Sequence, residues 1–500
     1  MPSEKTQKIV VRKKTGFASD VLKLVSGTTF AQSISILAAP ILTRLYAPEA
    51  FGIVALFSSI TGIIGVIACM RYEMSIMLPE RDEEAANLLG ISLGFTLLIS
   101  LLLIPLVMLG HAPLVKWLNA PALANYLWLV PLAVFISGVF LALNYWNSRT
   151  KHFGRLSIAR VTSSLTTTPL TIGLGFAGHT TAGSMIGAGI AGQTVATSVL
   201  GGQIWRDDRR VFLKSMRWRE MWAGMKRYKK FPLISTWSAL MNTISVSLPA
   251  LLLATFFSAT VVGFYALGNR LLNMPMSLIG RAIAQVFFQR AAAAKNDGTL
   301  PAVVRKTFIR LMALGLLPIL LVMIAGKDIF SVVFGNQWAV AGVYAQILAP
   351  WIMFQFISSP ISILFSVFEL QGIGLLFNSV LLGTRIASLM IGCFLNSILM
   401  ALMLFSITGS MLYLYLCILI LKKSGITLSV VAGDTLKTLF IALVVLLPVA
   451  VLKVYDIQSV MIVVVGCLCT LLYYIILCFR DETLWKLITD MFIRYKTYGG

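Results

Sequence analysis

The sequence predicts an all-α integral membrane protein of about fourteen transmembrane helices, organised as two six-helix halves followed by two further helices. Three observations carry this. The 500 residues are 58% apolar and 12% charged, with a mean hydropathy of +0.88; a soluble domain carries about 25% charged residues. Fourteen stretches reach the roughly 20 apolar residues that a helix needs to cross the hydrocarbon. Lys and Arg also alternate from one set of connections to the other, as the positive-inside rule requires.

The spans run approximately 21–43, 51–70, 87–110, 123–146, 161–178, 182–205, 233–256, 259–288, 307–326, 343–368, 376–396, 398–421, 434–452 and 458–479. The first follows a basic tail (Lys5, Lys8, Arg12, Lys13, Lys14) and continues past Ala38 and Ala39 to Leu42. It therefore reads as an uncleaved span rather than a secretory signal. The fifth is the most polar, with Thr162, Ser163, Ser164, Thr166, Thr167 and Thr168. Pro and Gly inside several spans are tolerated where neighbours re-satisfy the backbone.

Of the 41 Lys and Arg residues, 33 fall on the side of the N-terminus, and only Arg44, Lys116, Lys327 and Lys453 on the other. Both termini are expected in the cytoplasm. The same bias accounts for the net charge of +22. Basic loops face an anionic inner leaflet at about 1 kcal/mol of attraction per residue, so membrane lipids are partners and no nucleic-acid module is implied.

The expected domains are 1–205 (helices 1–6), a basic cytoplasmic loop at 206–232, 233–421 (helices 7–12), and 422–500 (helices 13–14 and a cytoplasmic tail). The loop interleaves Arg217, Arg219, Lys226 and Arg227 with Trp218 and Trp222. That spacing suits an amphipathic helix on the inner leaflet, and equally a plain linker. A weak repeat supports the two halves: Phe51-Gly52-Ile53-Val54-Ala55-Leu56 opens the second span and Val262-Gly263-Phe264-Tyr265-Ala266-Leu267 the eighth. Paired bundles with a midplane site are a common transporter plan.

Charge inside the spans is one-sided. Arg270, Arg281 and Arg385 lie within apolar stretches that hold no carboxylate. Intramembrane cations are costly and face wet cavities or substrate paths, so the occupant expected here is anionic. Arg270 lies about 16 Å into its span from Ala259, at 1.5 Å per residue. Arg281 follows three turns later on the same face, to line the same wall or to snorkel to the interface. Arg385 lies midway along the eleventh span. Asn269 and Asn273 flank the arginine face, and Asn242 belongs to a polar group on the seventh span with Ser235, Thr236, Ser238 and Thr243. These can bond sugar hydroxyls or neighbouring helices. Lys23 and Arg44, near the two ends of the first span, are further candidates; the alternatives are snorkelling for Lys23 and an ion pair with Glu49 for Arg44. The acidic run at Glu73, Glu80, Asp82, Glu83 and Glu84 reads as a solvated face, with the gating or repulsion of an anionic lipid as the alternative.

Cys69, Cys393, Cys417, Cys467, Cys469 and Cys478 read as packing residues, and His111, His152 and His179 are scattered. With no metal cluster, nucleotide loop or nucleophile triad, no cofactor is expected and an ATP-driven pump is disfavoured. A coupling ion has no obvious ligand.

The stretch from Ser26-Gly27-Thr28 through Leu42-Thr43-Arg44-Leu45-Tyr46-Ala47-Pro48-Glu49-Ala50-Phe51-Gly52 resembles the opening of bacterial polysaccharide repeat-unit (O-antigen/lipopolysaccharide-type) flippases. So do Arg71-Tyr72-Glu73 with Leu78-Pro79, and Phe334-Gly335-Asn336-Gln337-Trp338 with Ile347 to Trp351. The eighth span, Gly263 to Leu272 with Pro275, Gly280 and Val286-Phe287-Phe288, is similar to that of the lipid II flippases too. The family belongs to the multidrug/oligosaccharidyl-lipid/polysaccharide exporter superfamily.

The resemblance implies two six-helix lobes in a V around a central cavity, alternating access, and an undecaprenyl-diphosphate-linked oligosaccharide moved from the cytoplasmic to the periplasmic leaflet. It places Arg270 where the lipid II flippases bind substrate, and implies a groove for the lipid tail at helices 13 and 14. A polysaccharide polymerase and a chain-length regulator are the implied protein partners. The competing reading is a cation-coupled multidrug exporter on the same fold, which would want carboxylates within the lobes. A membrane glycosyltransferase or polymerase would want a large outer loop, and the longest here is about 16 residues (327–342).

Overall fold

In a computed structural model of the protein, residues 17–480 are described, apart from 275–279, 281, 282, 285, 286, 288, 289, 292, 293, 295, 296 and 369; side chains are described from residue 27, apart from those at 366, 367, 371, 375 and 480. Every regular element among them is helical. The long helices are α1 Phe17–Leu45, α2 Pro48–Ala68, α3 Asp82–Trp117, α4 Val130–Arg149, α5 Phe153–Phe176, α6 Ala182–Ser215, α7 Thr236–Phe256, α8 Ala259–Leu272, α9 Leu300–Phe334, α10 Ala339–Ile361, α11 Gln371–Phe394, α12 Ile398–Lys423, α13 Leu428–Val454 and α14 Ser459–Arg480. Among the described residues, ten helices are long and apolar enough to cross a membrane. The protein is thus a multi-pass membrane protein. Among the described residues α1, α5, α6 and α8 do not reach that threshold, so the expected fourteen spans are not all established by length and apolarity.

The polar α5 is accommodated by packing. It lies between α1 and α6, and its hydroxyls bond within the bundle: Thr166 Oγ1 donates to Thr162 O, Thr171 Oγ1 to Thr167 O, and Ser164 Oγ to Ala31 O on α1. Tyr46 Oη closes the group by donating to Thr171 O at 2.7 Å.

One lobe packs α3 on α4, α4 on α6, and α2 across α4 and α6; the other packs α9 on α10, α10 on α12, α11 on α12 and α8 on α10. The lobes meet where α2 crosses α7 and α8, and where α1 touches α9. Helices α13 and α14 lie against α9. They are held near one end by Arg305 on Asp434 (2.5 Å) and near the other by Lys453 Nζ and Ser459 Oγ donating to Asp328 (2.6 and 2.8 Å). Midway, Tyr473 Oη and Tyr474 Oη donate to Ala313 O and Leu314 O on α9.

Two expected boundaries move. Helix α9 continues through Lys327 to Phe334, so 327–342 is not an open loop. The charge on Asp328 ends the apolar run in the sequence, but Lys453 and Ser459 satisfy it in the fold. Helix α6 likewise continues to Ser215, because Arg155 on α5 pairs with Asp207 and Asp208 there (2.6 and 3.4 Å).

Candidate functional site

The Lys- and Arg-rich connections gather at one end of the bundle, called the basic end below. At the opposite end the lobes are pressed together. Gln337 Nε2 and Trp338 Nε1 both donate to Thr43 O (2.6 and 2.8 Å), Arg44 Nη2 to Val332 O (3.3 Å) and Asn119 Nδ2 to Phe257 O (3.1 Å). Trp338 is fully buried and meets Phe51 edge-on at 4.9 Å. Arg44 therefore belongs to this seal and reaches Val332 O rather than Glu49.

Toward the basic end the helices part around a cavity of about 750 Å³. Ser235, Ser238, Asn242 and Ser245 come from the α7 side, Asn378, Ser379 and Arg385 from α11, and Gln355 and Tyr413 from α10 and α12. The opposite lobe contributes Arg71 and Met74. The spacing of Ser235, Ser238, Asn242 and Ser245 places them on one helical face. The wall carries two guanidinium groups and, among the described residues, no carboxylate.

Arg385 is the deeper of the two, about 21 Å along α11 from Gln371 at 1.5 Å per residue. It is 8% exposed. Its Nη1 donates to Ser245 Oγ (2.9 Å) and Ser245 O (3.4 Å), and its guanidinium carbon lies 5.7 Å from the Trp351 ring and 5.8 Å from the Phe405 ring. Such faces attract a cation by about 0.5–2 kcal/mol each. Its Nε has no hydrogen-bond partner among the described residues. Among the described residues the groups that hold it are neutral, so its charge faces the cavity without a counter-ion.

Sequence reasoning assigned Arg71 to a loop. It reaches the wall because Met70 and Arg71 both adopt left-handed backbone (φ 50° and 60°), turning the chain sharply after α2. Such residues cost roughly 1–3 kcal/mol each and gather at functional sites. Arg71 pairs with Glu73 at 3.5 Å. Glu73 is fully buried, not part of a solvated face, and burial pushes its carboxyl above the usual range while Arg71 opposes the shift. The positive φ values had no signal in the sequence, since neither residue is Gly or Asn.

Of the other candidates, Asn242 lines the cavity with Arg385. Arg270 is exposed at the end of α8, with no hydrogen-bond or ion-pair partner among the described residues. Ala266, Asn269 and Asn273 share its accessible face, and Asn273 Nδ2 donates to Asn269 Oδ1 (2.8 Å) and Asn269 O (2.9 Å). None of these is in the wall of the described cavity. Arg281 and the side chain of Lys23 lie outside the described residues.

Two helical lobes sealed at one end, around a cavity that opens toward the other, give the fold found in membrane transporters. A family model described as "Polysaccharide biosynthesis protein" matches residues 41–343, more than half the chain, and the protein belongs to that family. A curated relative, the teichuronic acid biosynthesis protein TuaB of Bacillus subtilis (strain 168), is 27% identical over 130 residues. That match spans 25% of this chain and 26% of the relative. Among solved structures, the lipid II flippase MurJ in an inward closed conformation aligns with a TM-score of 0.69 at 12% identity, covering 92% of this chain and 99% of that one. An inward-facing multidrug resistance MATE family transporter aligns with a TM-score of 0.61 at 16% identity, covering 79% and 94%. These likenesses show the fold: two lobes in a V, with α13 and α14 added.

Proposed function

We propose that the protein is a flippase that carries an undecaprenyl-diphosphate-linked oligosaccharide from the cytoplasmic to the periplasmic leaflet of the bacterial inner membrane, for polysaccharide or lipopolysaccharide assembly. The basic end faces the cytoplasm with both termini, and residues 1–205 and 233–421 rock as two lobes in alternating access. The conformation described is then open inward and sealed outward. The observation that carries this reading is Arg385: a buried guanidinium with no carboxylate partner among the described residues, on the wall of a cavity that also carries hydroxyl and amide groups among apolar side chains.

Guanidinium grips phosphate oxygens with parallel donors, and a diphosphate needs such a grip to leave water. Arg71 meets the headgroup at the mouth, Arg385 holds the cargo deeper, and Asn242 with the α7 serines bonds sugar hydroxyls. Arg270, with Asn269 and Asn273, forms a second cationic face that lobe rocking brings to the substrate; Arg281 and Lys23 extend the cationic path, and Arg44 joins it once the seal opens. A cation-coupled drug exporter would place a carboxylate in the cavity wall, and the described wall has none.

The test is export in cells. Arg270→Ala and Arg385→Ala each abolish surface polysaccharide while protein level and membrane insertion stay normal, and Arg270→Lys restores it only in part. Normal export by Arg270→Ala would make that residue structural or idle.

A further inference from the structure

The chain between the lobes folds back on the basic end. After α6 ends at Ser215, a ten-residue helix, Trp218–Arg227, lies along the first turns of α3. Asn87 on α3 clamps the intervening turn from both sides: its Nδ2 donates to Ser215 O (2.9 Å), and Arg217 N donates to its Oδ1 (2.9 Å). A Cβ on Gly224 would lie 3.2 Å from Leu88 Cδ2, so the small residue lets the helix sit close. Arg227 pairs with Glu84 at 3.4 Å. One face is thus fixed to the protein.

The adjoining face has no protein partner among the described residues. Trp218 and Trp222, one turn apart, are 77% and 53% exposed. Arg219 and Lys226 flank them and are also exposed, with Lys226 Nζ 5.5 Å from the Trp222 ring centroid. Indole rings favour the headgroup depth of a bilayer, and cations beside them favour anionic headgroups over zwitterionic ones. Two large apolar rings fringed by unpaired cations are a poor surface for water.

The helix is also wired to the cavity. Tyr72 Oη donates to Met225 O (3.2 Å), and Tyr72 sits between Arg71 and Glu73. Beyond the helix, the π-turn Phe231–Ser235 packs on the short helix Tyr72–Ser75 and places Ile234 and Ser235 in the cavity wall.

We propose that the Trp218, Trp222, Arg219 and Lys226 face binds anionic phospholipid of the inner leaflet, and that this contact fixes the position of the cavity mouth through Tyr72. The inference rests on the inward orientation proposed above, and its test does not require transport.

Full-length protein is reconstituted in nanodiscs of phosphatidylcholine alone or with 30 mol% phosphatidylglycerol, a probe composition of about one anionic lipid in three, and amide hydrogen exchange is followed. Exchange over 217–228 and 70–76 is expected to slow roughly five-fold or more in the anionic discs, with the difference erased by high salt. The double variant Arg219→Gln/Lys226→Gln removes the difference but keeps the fold, read from unchanged exchange in α9 and α10. Inorganic phosphate added to phosphatidylcholine discs leaves exchange unchanged if the lipid surface is the ligand; an equal slowing by phosphate would overturn the lipid assignment. Identical exchange in both disc types, or a difference that persists in the double variant, would overturn the proposal and leave the flippase reading standing.

Discussion

Gly52 and Gly263 touch where α2 crosses α8: a Cβ built on Gly52 would overlap the Ala259 carbonyl oxygen, and one on Gly263 the Pro48 carbonyl oxygen. The contact is reciprocal, and these are the matching glycines of the internal repeat. Two helices from different lobes meet backbone to backbone because each offers a residue with no side chain.

Gly263→Ala should therefore force the lobes apart at the sealed end. Overpacking of this kind costs roughly 1–3 kcal/mol, enough to shift a balance between joined and separated lobes by about 5- to 150-fold toward separation. Disulfide yield between Arg44→Cys and Gln337→Cys reports the separation of α1 from the α9–α10 corner. The yield is expected to fall in the Gly263→Ala background; an unchanged yield means that the crossing relaxes without opening the seal.

Arg385 should divide cleanly between charge and shape. Arg385→Lys keeps the cation but loses the guanidinium contact with Trp351 and Phe405 and the second donor edge. Arg385→Gln keeps a donor to Ser245 without charge. Lys should retain partial export and Gln none, measured as surface polysaccharide per unit of membrane protein. Equal export by both would assign Arg385 to packing alone.

Glu73 gives a pH dependence whose sign follows from burial. Its folded carboxyl holds its proton more tightly than an unfolded one, so its stabilising contribution is complete below the unfolded value of about 4.3 and is lost as pH rises through the raised folded value. Glu73→Gln is neutral throughout. The thermal stability of the variant relative to the parent should rise with pH across that window and level off above it. A pH-independent difference would mean that Arg71 cancels the burial effect.

The anchor of α13 and α14 at the end away from the basic connections is Asp328, 5% exposed, which accepts from Lys453 and Ser459. Asp328→Asn leaves a partly buried ammonium group short of its counter-ion and should destabilise the protein by about 1–3 kcal/mol. Lys453→Gln should cost less in the Asp328→Asn background than alone, as a double-mutant cycle on thermal unfolding would reveal. Additive costs would show that the pair contributes nothing as a pair.

Much of the architecture was legible because hydropathy and charge act over long stretches. Apolar runs mark the helices, and the one-sided distribution of Lys and Arg marks the basic end. Arg385 and Asn242 were legible as polar groups in apolar surroundings, and they share one cavity. What escaped depends on tertiary partners or local backbone. Asp328 looks like the end of a span until Lys453, 125 residues away, satisfies it. Glu73 looks solvated among Glu80, Asp82 and Glu83, but its turn buries it. Arg71 enters the site only through two consecutive left-handed residues, which Met and Arg do not announce.

The most direct test of the central claim is translocation in proteoliposomes. A fluorescent undecaprenyl-diphosphate oligosaccharide is presented to the cytoplasmic face, and its loss of protection from a glycosidase confined to the other face is timed. The parent protein should move the diphosphate lipid, and Arg385→Ala should slow it about 10- to 100-fold, the loss of a charge-assisted contact of roughly 1.5–3 kcal/mol. A neutral polyprenyl glycoside should not move. Equal transport of the neutral lipid, or full rate in Arg385→Ala, would contradict a cationic cavity built for a phosphorylated headgroup.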